Sequence, residues 1–158
     1  HAADVTRVKV VSSQWARFAD VIESSFVVLY EPFGLDRPDA AAGEADWRLP
    51  PAGTDVIVAL DAEERLLGSA WLMPQTGEAS RQVRQVAVDA SARGRGVGAA
   101  LMREAARLAA EQGAVELWLQ ARDTAYRFYE RLGFVPEGDE FISELTGIPH
   151  TTMRLPLR

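Results

Sequence analysis

The 158-residue chain contains no cysteine, which excludes disulfides, thiolate metal sites and a cysteine nucleophile together. Histidine is almost as scarce. His1 and His150 stand at opposite ends of the sequence, a poor basis for an imidazole zinc site, so no metal is expected. Lysine occurs once, as Lys9, and sixteen of the seventeen basic residues are arginine; any bound phosphate would meet forked guanidinium donors. No apolar run approaches the roughly 18 residues of a membrane helix. The opening HAADVTRVKV lacks the apolar region of a secretory leader, so the expectation is a cytoplasmic protein with no membrane partner. Positive charge is in deficit as well. A net charge of −6 argues against nucleic acid as the main partner, because neutralising phosphates needs a basic surface, and it is compatible with a cationic substrate.

The length suits one domain with a real core rather than two, and a hydrophobic content of 47% beside 25% charged residues is that of a globular protein. RVKVV alternates like a first strand. Ser12 and Ser13 are placed to cap a helix in which Trp15, Phe18, Ile22 and Phe26 form one apolar stripe. A long irregular segment rich in proline, glycine and acids follows, of a length that is usually functional or disordered. DVIVAL and RLLGSAWLMP, joined by a turn over 61–64, read as an antiparallel hairpin. In the next strand, RQVRQVAV, strict alternation puts Val83, Gln85 and Ala87 on one face and Arg84, Val86 and Val88 on the other. A helix then buries Val97, Leu101, Ala105 and Leu108 and wets Arg103, Glu104, Arg107 and Glu111, with Gly113 at its end. AVELWLQA is a strand. DTAYRFYERLG is a short helix, capped by Asp123 or Thr124 and ended by Gly133, and two further strands finish the chain. The strand–helix–strand crossover implies a right-handed parallel pair inside an otherwise antiparallel sheet. The expected class is α+β, a mixed sheet with helices on both faces.

Between strand and helix lies DASARGRGVGAA. A helix start presents unpaired N–H groups and partial positive charge, and glycines there let an anion approach the backbone closely. Arg93 and Arg95 add charge, so the segment from Gly94 to Ala99 reads as a phosphate or pyrophosphate site. The plainer reading is that Gly94, Gly96 and Gly98 make a tight turn and allow close packing. No lysine is present for a Walker loop. Gly94, Gly96 and Ala99 match the Rossmann spacing, but five residues separate strand from glycine and the upstream hairpin is antiparallel.

QVAVDASARGRGVGAALM resembles the GNAT superfamily of acetyl-CoA-dependent N-acetyltransferases, whose [RQ]-x-x-G-x-[GA] signature is met by Arg93, Gly96 and Gly98. FYERLGF resembles the helix that follows later in that family, and the likeness runs from about Val56 to Leu157. The ending GDEFISELTGIPH is similar to that of the ElaA-like branch. The resemblance implies a GNAT-like fold and a single domain over residues 1–158, with 26–53 on the substrate side. It implies acetyl-CoA as cosubstrate, the backbone of Gly94, Arg95, Gly96, Val97, Gly98 and Ala99 cradling its pyrophosphate, and the backbone of Val86, Ala87 and Val88 pairing with the pantetheine arm. It also implies Tyr129 as general acid. A phenol at about 10 holds a proton at neutral pH for the leaving thiolate; read without the family, Tyr129 is a core aromatic. Tyr126 ranks second.

Arg122 occupies a place where many family members carry Asn; binding cofactor phosphate and plain solvation are equally open to it. Candidate bases are Glu31, Glu140, Glu144 and His150, of which histidine is the type that titrates near neutrality; its plainer role is to anchor the turn after Pro149. By analogy, Tyr30, Phe33 and Trp47 would line the acceptor site and Glu31, Asp36, Asp39, Glu44 and Asp46 would attract a cationic amine. The acceptor, a small-molecule or peptide amine, is not named by the sequence, and assembly as a homodimer stays open. The rival readings are an inactive acyl-CoA-binding sensor or scaffold and a Rossmann-type nucleotide binder.

Overall fold

Residues 5, 7–33, 49–144 and 146–157 are described in a computed structural model. Seven strands form one twisted sheet in the order β1-β2-β3-β4-β5-β7-β6. β1 (Arg7–Val11), β2 (Asp55–Leu60), β3 (Leu66–Leu72) and β4 (Ser80–Val88) follow one another antiparallel. β4 then pairs in parallel with β5 (Glu116–Arg122), and β7 (Pro149–Pro156) inserts antiparallel between β5 and the edge strand β6 (Val135–Ile142). The mixed sheet with its parallel crossover is the architecture the alternation and helix patterns imply.

Each face has its own core. Phe18 and Val21 of α1 (Phe18–Tyr30) pack with Val56, Val58, Leu60 and Trp71 on one side. On the other, Val97, Leu101, Met102, Ala105 and Ala109 of α2 (Val97–Glu111) lie over Ile57, Ala59, Leu67 and Ala70. Tyr129 of α3 (Tyr126–Arg131) and the adjacent Phe134 join that second core. The wet side of α2 is held by Arg107, which bonds Glu104 at 3.0 Å and Glu111 at 2.6 Å.

Two expected caps are replaced. α1 begins at Phe18 after Arg17, with no side-chain cap, and Ser12 Oγ instead accepts the Gln14 N–H at 3.3 Å in the turn before it. Trp15 therefore sits outside the helix, under the cations of Lys9 and Arg17. Asp123 accepts only the Thr124 N–H, at 2.9 Å, within a 3₁₀ turn, and α3 starts three residues later without a side-chain cap.

A larger correction concerns β4. Ser69 pairs with Ala87 and Trp71 with Arg84, so Gln85 and Val86 together face the single Ala70. This is a β-bulge, and Gln85 takes φ of 54° to make it. The extra residue breaks the period of two. Val83 joins the α2-side core with Val86 and Val88 packed against it, whereas Arg84, Gln85 and Ala87 turn to the α1 side. The alternation that grouped Val83 with Gln85 and Ala87 fails at that point.

Candidate functional site

β4 and β5 are bonded to each other only where Ser80–Gln82 meets Glu116–Trp118. Beyond that, β4 stays with β3 as far as Val88, while β5 stays with β7 as far as Arg122 opposite His150. The strands diverge and leave two facing edges, 83–88 and 119–122, without strand partners across the gap. Their divergence opens a cleft of about 1030 Å³. An unpaired strand edge offers main-chain donors and acceptors to an extended ligand.

One end of the cleft is a helix start. The Asp89 carboxylate accepts the Ser91 N–H at 3.1 Å and folds Ala90–Ala92 into one 3₁₀ turn, with Ala92 fully buried. The chain leaves that turn through Arg93, then reverses at Gly94 (φ 75°) and Gly96 (φ 80°) to enter α2. A side chain would be strained in either conformation, although a Cβ there would touch nothing within 4 Å. Gly96 is the N-cap, with no side chain to close the end and no acid in the first turn. Ala100 N–H bonds Gly96 O at 3.0 Å, so the amides of Val97, Gly98 and Ala99 precede the helical ladder. Gly98 has a different purpose: a Cβ there would lie 3.0 Å from Phe128 Cζ. Gly94 and Gly96 thus shape a turn that leaves the helix start open, and Gly98 permits close approach of α2 and α3.

In the cleft wall, Tyr129 is 8% exposed, set edge-on between Phe128 at 5.0 Å and Phe134 at 5.6 Å. Burial pushes its phenol from the ordinary 10 up to about 12, with the positive charge of Arg122 pulling the other way. Its hydroxyl makes no hydrogen bond to a described residue. His150 lines the same cleft. Its Nδ1 lies 3.0 Å from Ile148 O and its ring stacks on Phe141. A carbonyl only accepts, so Nδ1 carries the proton and Nε2 of the neutral ring keeps a lone pair.

Most of the expected site residues converge here. Val86, Val88, Arg93 and Gly94 line the cleft, as do Gly96, Val97, Gly98 and Ala99, and Arg122, Tyr129 and His150 join them. Ala87 presents its side chain to the opposite face, beside Ser69, although its backbone belongs to the open edge of β4. Arg95 is exposed and outside the lining. Glu31, Glu140 and Glu144 are exposed and do not line the cleft, whereas His150 does. Tyr126 packs against the core instead. Tyr30 reaches the cleft from α1 and accepts a hydrogen bond from Gln85 Nε2 at 3.1 Å. Trp47, Asp36, Asp39, Glu44, Asp46 and the side chain of Phe33 lie outside the described residues.

Sequence reasoning missed Arg84, Gln85, Ser143 and Thr146, all of which line the cleft. Arg84 stands in regular register with Trp71 just before the bulge, Gln85 reaches the cleft through the bulge, which no local pattern announces, and the last two come from the β6–β7 turn. No described helix is long and apolar enough to cross a membrane. Among the described residues no cluster of three or more acids or histidines forms a potential metal site.

A family model described as an acetyltransferase (GNAT) domain matches residues 52–136, the span from β2 to the start of β6. The chain is similar to streptothricin acetyltransferase of Streptomyces lavendulae, 34% identical over 104 residues that make up 64% of this chain and 52% of that protein. It is also similar to glucosamine 6-phosphate N-acetyltransferase of Trypanosoma brucei brucei, 36% identical over 75 residues, 44% of this chain and 51% of that one. The chain spans about half the length of the curated relatives it matches. In fold it resembles an aminoglycoside 6'-N-acetyltransferase complexed with coenzyme A, with a TM-score of 0.76 at 14% identity over 97% of this chain and 98% of the other.

Proposed function

The chain belongs to the GNAT acetyltransferase family, and from that premise we propose that it moves the acetyl group of acetyl-CoA onto a primary amine by direct attack within a ternary complex. The observation that carries this reading is the divergence of β4 from β5 beside an uncapped glycine helix start. The fit to the cosubstrate is one of chemistry. Open amides at Val97–Ala99 and the Arg93 guanidinium suit a diphosphate. The free edge of β4 at Val86–Val88 suits the amide-bearing pantetheine arm. Arg122, at the end of β5, serves the same anionic ligand.

Bound acetyl-CoA supplies an acetyl group already activated as a thioester. The residues of the chain do the rest. His150 Nε2 takes a proton from the acceptor ammonium. The amine nitrogen then bonds the acetyl carbon as the carbon–sulfur bond breaks. Tyr129 Oη gives its proton to the departing sulfur, and the surplus proton on the newly acylated nitrogen returns to the Tyr129 oxygen, so that the amide is neutral and the phenol is restored. Its buried phenol holds that proton throughout the neutral range. No cysteine exists to carry an acyl-enzyme, in keeping with transfer in one step. The names of the two curated relatives, one for an antibiotic and one for an aminosugar phosphate, support a small-molecule amine as acceptor.

The test is calorimetry with CoA and with NAD, joined to an assay of thiol release over a panel of amines. CoA binding with amine-dependent thiol release is expected. NAD binding in place of CoA would overturn the reading. So would CoA binding with no transfer to any amine, the behaviour of a sensor module. Tyr129→Phe is expected to leave CoA affinity within about twofold and to lower turnover on the order of a hundredfold or more.

A further inference from the structure

The protein is acidic overall, with a net charge of −6, yet the described wall of its cleft is not. Arg84, Arg93 and Arg122 line it, and no Asp or Glu among the described residues does. Two of these cations are accounted for. Arg93 adjoins the α2 start, and Arg122 ends β5 beside Tyr129. Arg84 is left over.

Its position separates it from the diphosphate end. Arg84 pairs across the sheet with Trp71, whose side chain lies in the α1-side core. Residues directly opposite on antiparallel strands project from the same face, so Arg84 leaves β4 on the α1 side. The bulge then sends Gln85 to that side too, where Nε2 donates to Tyr30 Oη. Val86 and Val88 turn the other way, toward α2. The open edge of β4 therefore divides the cleft: the helix start with Arg93 lies on the α2 face, and Arg84, Gln85 and Tyr30 lie on the other, toward which Arg122 also projects because its neighbours Leu119 and Ala121 belong to the α2-side core. Arg84 is exposed, and among the described residues it has neither an ion pair nor a hydrogen bond. A guanidinium set free at the mouth of a cleft attracts anions and repels polycations.

Resting on the acetyltransferase reading above, we propose that the acceptor is a small primary amine that also carries an anionic group, a carboxylate or a phosphate, and that Arg84 binds that group. The forked guanidinium matches either anion in bidentate fashion. Gln85 and Tyr30 add neutral polar groups beside it. The cationic amine anticipated from the acidic 26–53 segment is not the class this wall favours.

The experiment compares kcat/KM, at saturating acetyl-CoA, for three groups of amines: amino acids with a free carboxylate, aminosugar phosphates, and polycationic amines such as polyamines and aminoglycosides. It is run on the wild type, Arg84→Glu and Arg84→Lys. Arg84 is exposed, so both variants are expected to fold, and acetyl-CoA affinity by calorimetry serves as the check. The expected result is preference for one of the two anionic groups, which also identifies the anion. Arg84→Glu should lower kcat/KM for that group about tenfold or more, chiefly through KM, with Arg84→Lys retaining much of it. Preference of the wild type for polycations, or equal losses for all amines in Arg84→Glu, would overturn this inference and leave amine acetylation standing. Transfer to no amine despite bound acetyl-CoA would overturn both.

Discussion

A methyl group placed on Gly98 meets Phe128 Cζ at 3.0 Å, so the third glycine of the segment fixes how closely α2 approaches the ring that precedes Tyr129. Gly98→Ala gains about 1 kcal/mol in helix propensity and loses about 1–3 kcal/mol to overpacking. A small net destabilisation is expected, with a clearer fall in turnover because the displaced ring abuts Tyr129. Phe128→Leu in the same chain should recover part of both. Thermal unfolding and kcat of the two single variants and the double variant check this; strictly additive effects would show that the contact is immaterial.

Gly96 makes a different demand. Its φ of 80° strains any L side chain by roughly 1–2 kcal/mol, with no steric neighbour to add to it. Gly96→Ala should lower the melting temperature by about 2–8 °C and weaken CoA binding as the helix-start amides reorient. Calorimetry and thermal scans measure the two together. Lost stability with unchanged CoA affinity would assign Gly96 to the turn alone.

The phenol of Tyr129, raised to about 12 by burial, has a signed consequence for pH. The folded state holds this proton more tightly than the unfolded chain does, whose phenol ionises near 10. The stability so contributed is complete below about pH 10 and is lost as pH rises through 12. Denaturant titrations of the wild type should therefore weaken above pH 10 relative to Tyr129→Phe. No descending limb of kcat below pH 10 should trace to this residue.

Arg81 lies on the same strand as the site but serves stability. It is 2% exposed, donating to Met73 O at 2.7 Å, Leu72 O at 3.0 Å and Asp55 Oδ2 at 3.0 Å, and to the Gln112 side chain. Arg81→Met orphans these acceptors and should cost about 3 kcal/mol or more. Arg81 does not line the cleft, so the folded fraction should keep its KM values. Urea unfolding and steady-state kinetics separate the two effects.

Much of this was legible in sequence because it is local. Alternation in DVIVAL and periodicity in VGAALMREAARLAAE each report one buried face, and the glycines with Arg93 announce an open helix start. FYERLGF pointed to Tyr129 as the proposed acid only through its family likeness, since nothing local distinguishes a phenol on a cleft wall from a core one. The caps at Ser12, Ser13, Asp123 and Thr124 failed because polar residues ahead of a helix can instead bond the turn that leads into it.

What the sequence by itself determined is the order of elements, the mixed sheet and the glycine turn that opens α2, all of which follow from short-range spacing and backbone preference. The tertiary structure alone decided where the cleft opens and which side chains face it. The parting of β4 from β5 depends on which strand each pairs with farther along, and the bulge at Gln85 on a register set against Ala70 of β3. Those long-range pairings turn Arg84 toward the α1 side, His150 toward Arg122 and the exposed acids away, and no window of neighbouring residues contains them.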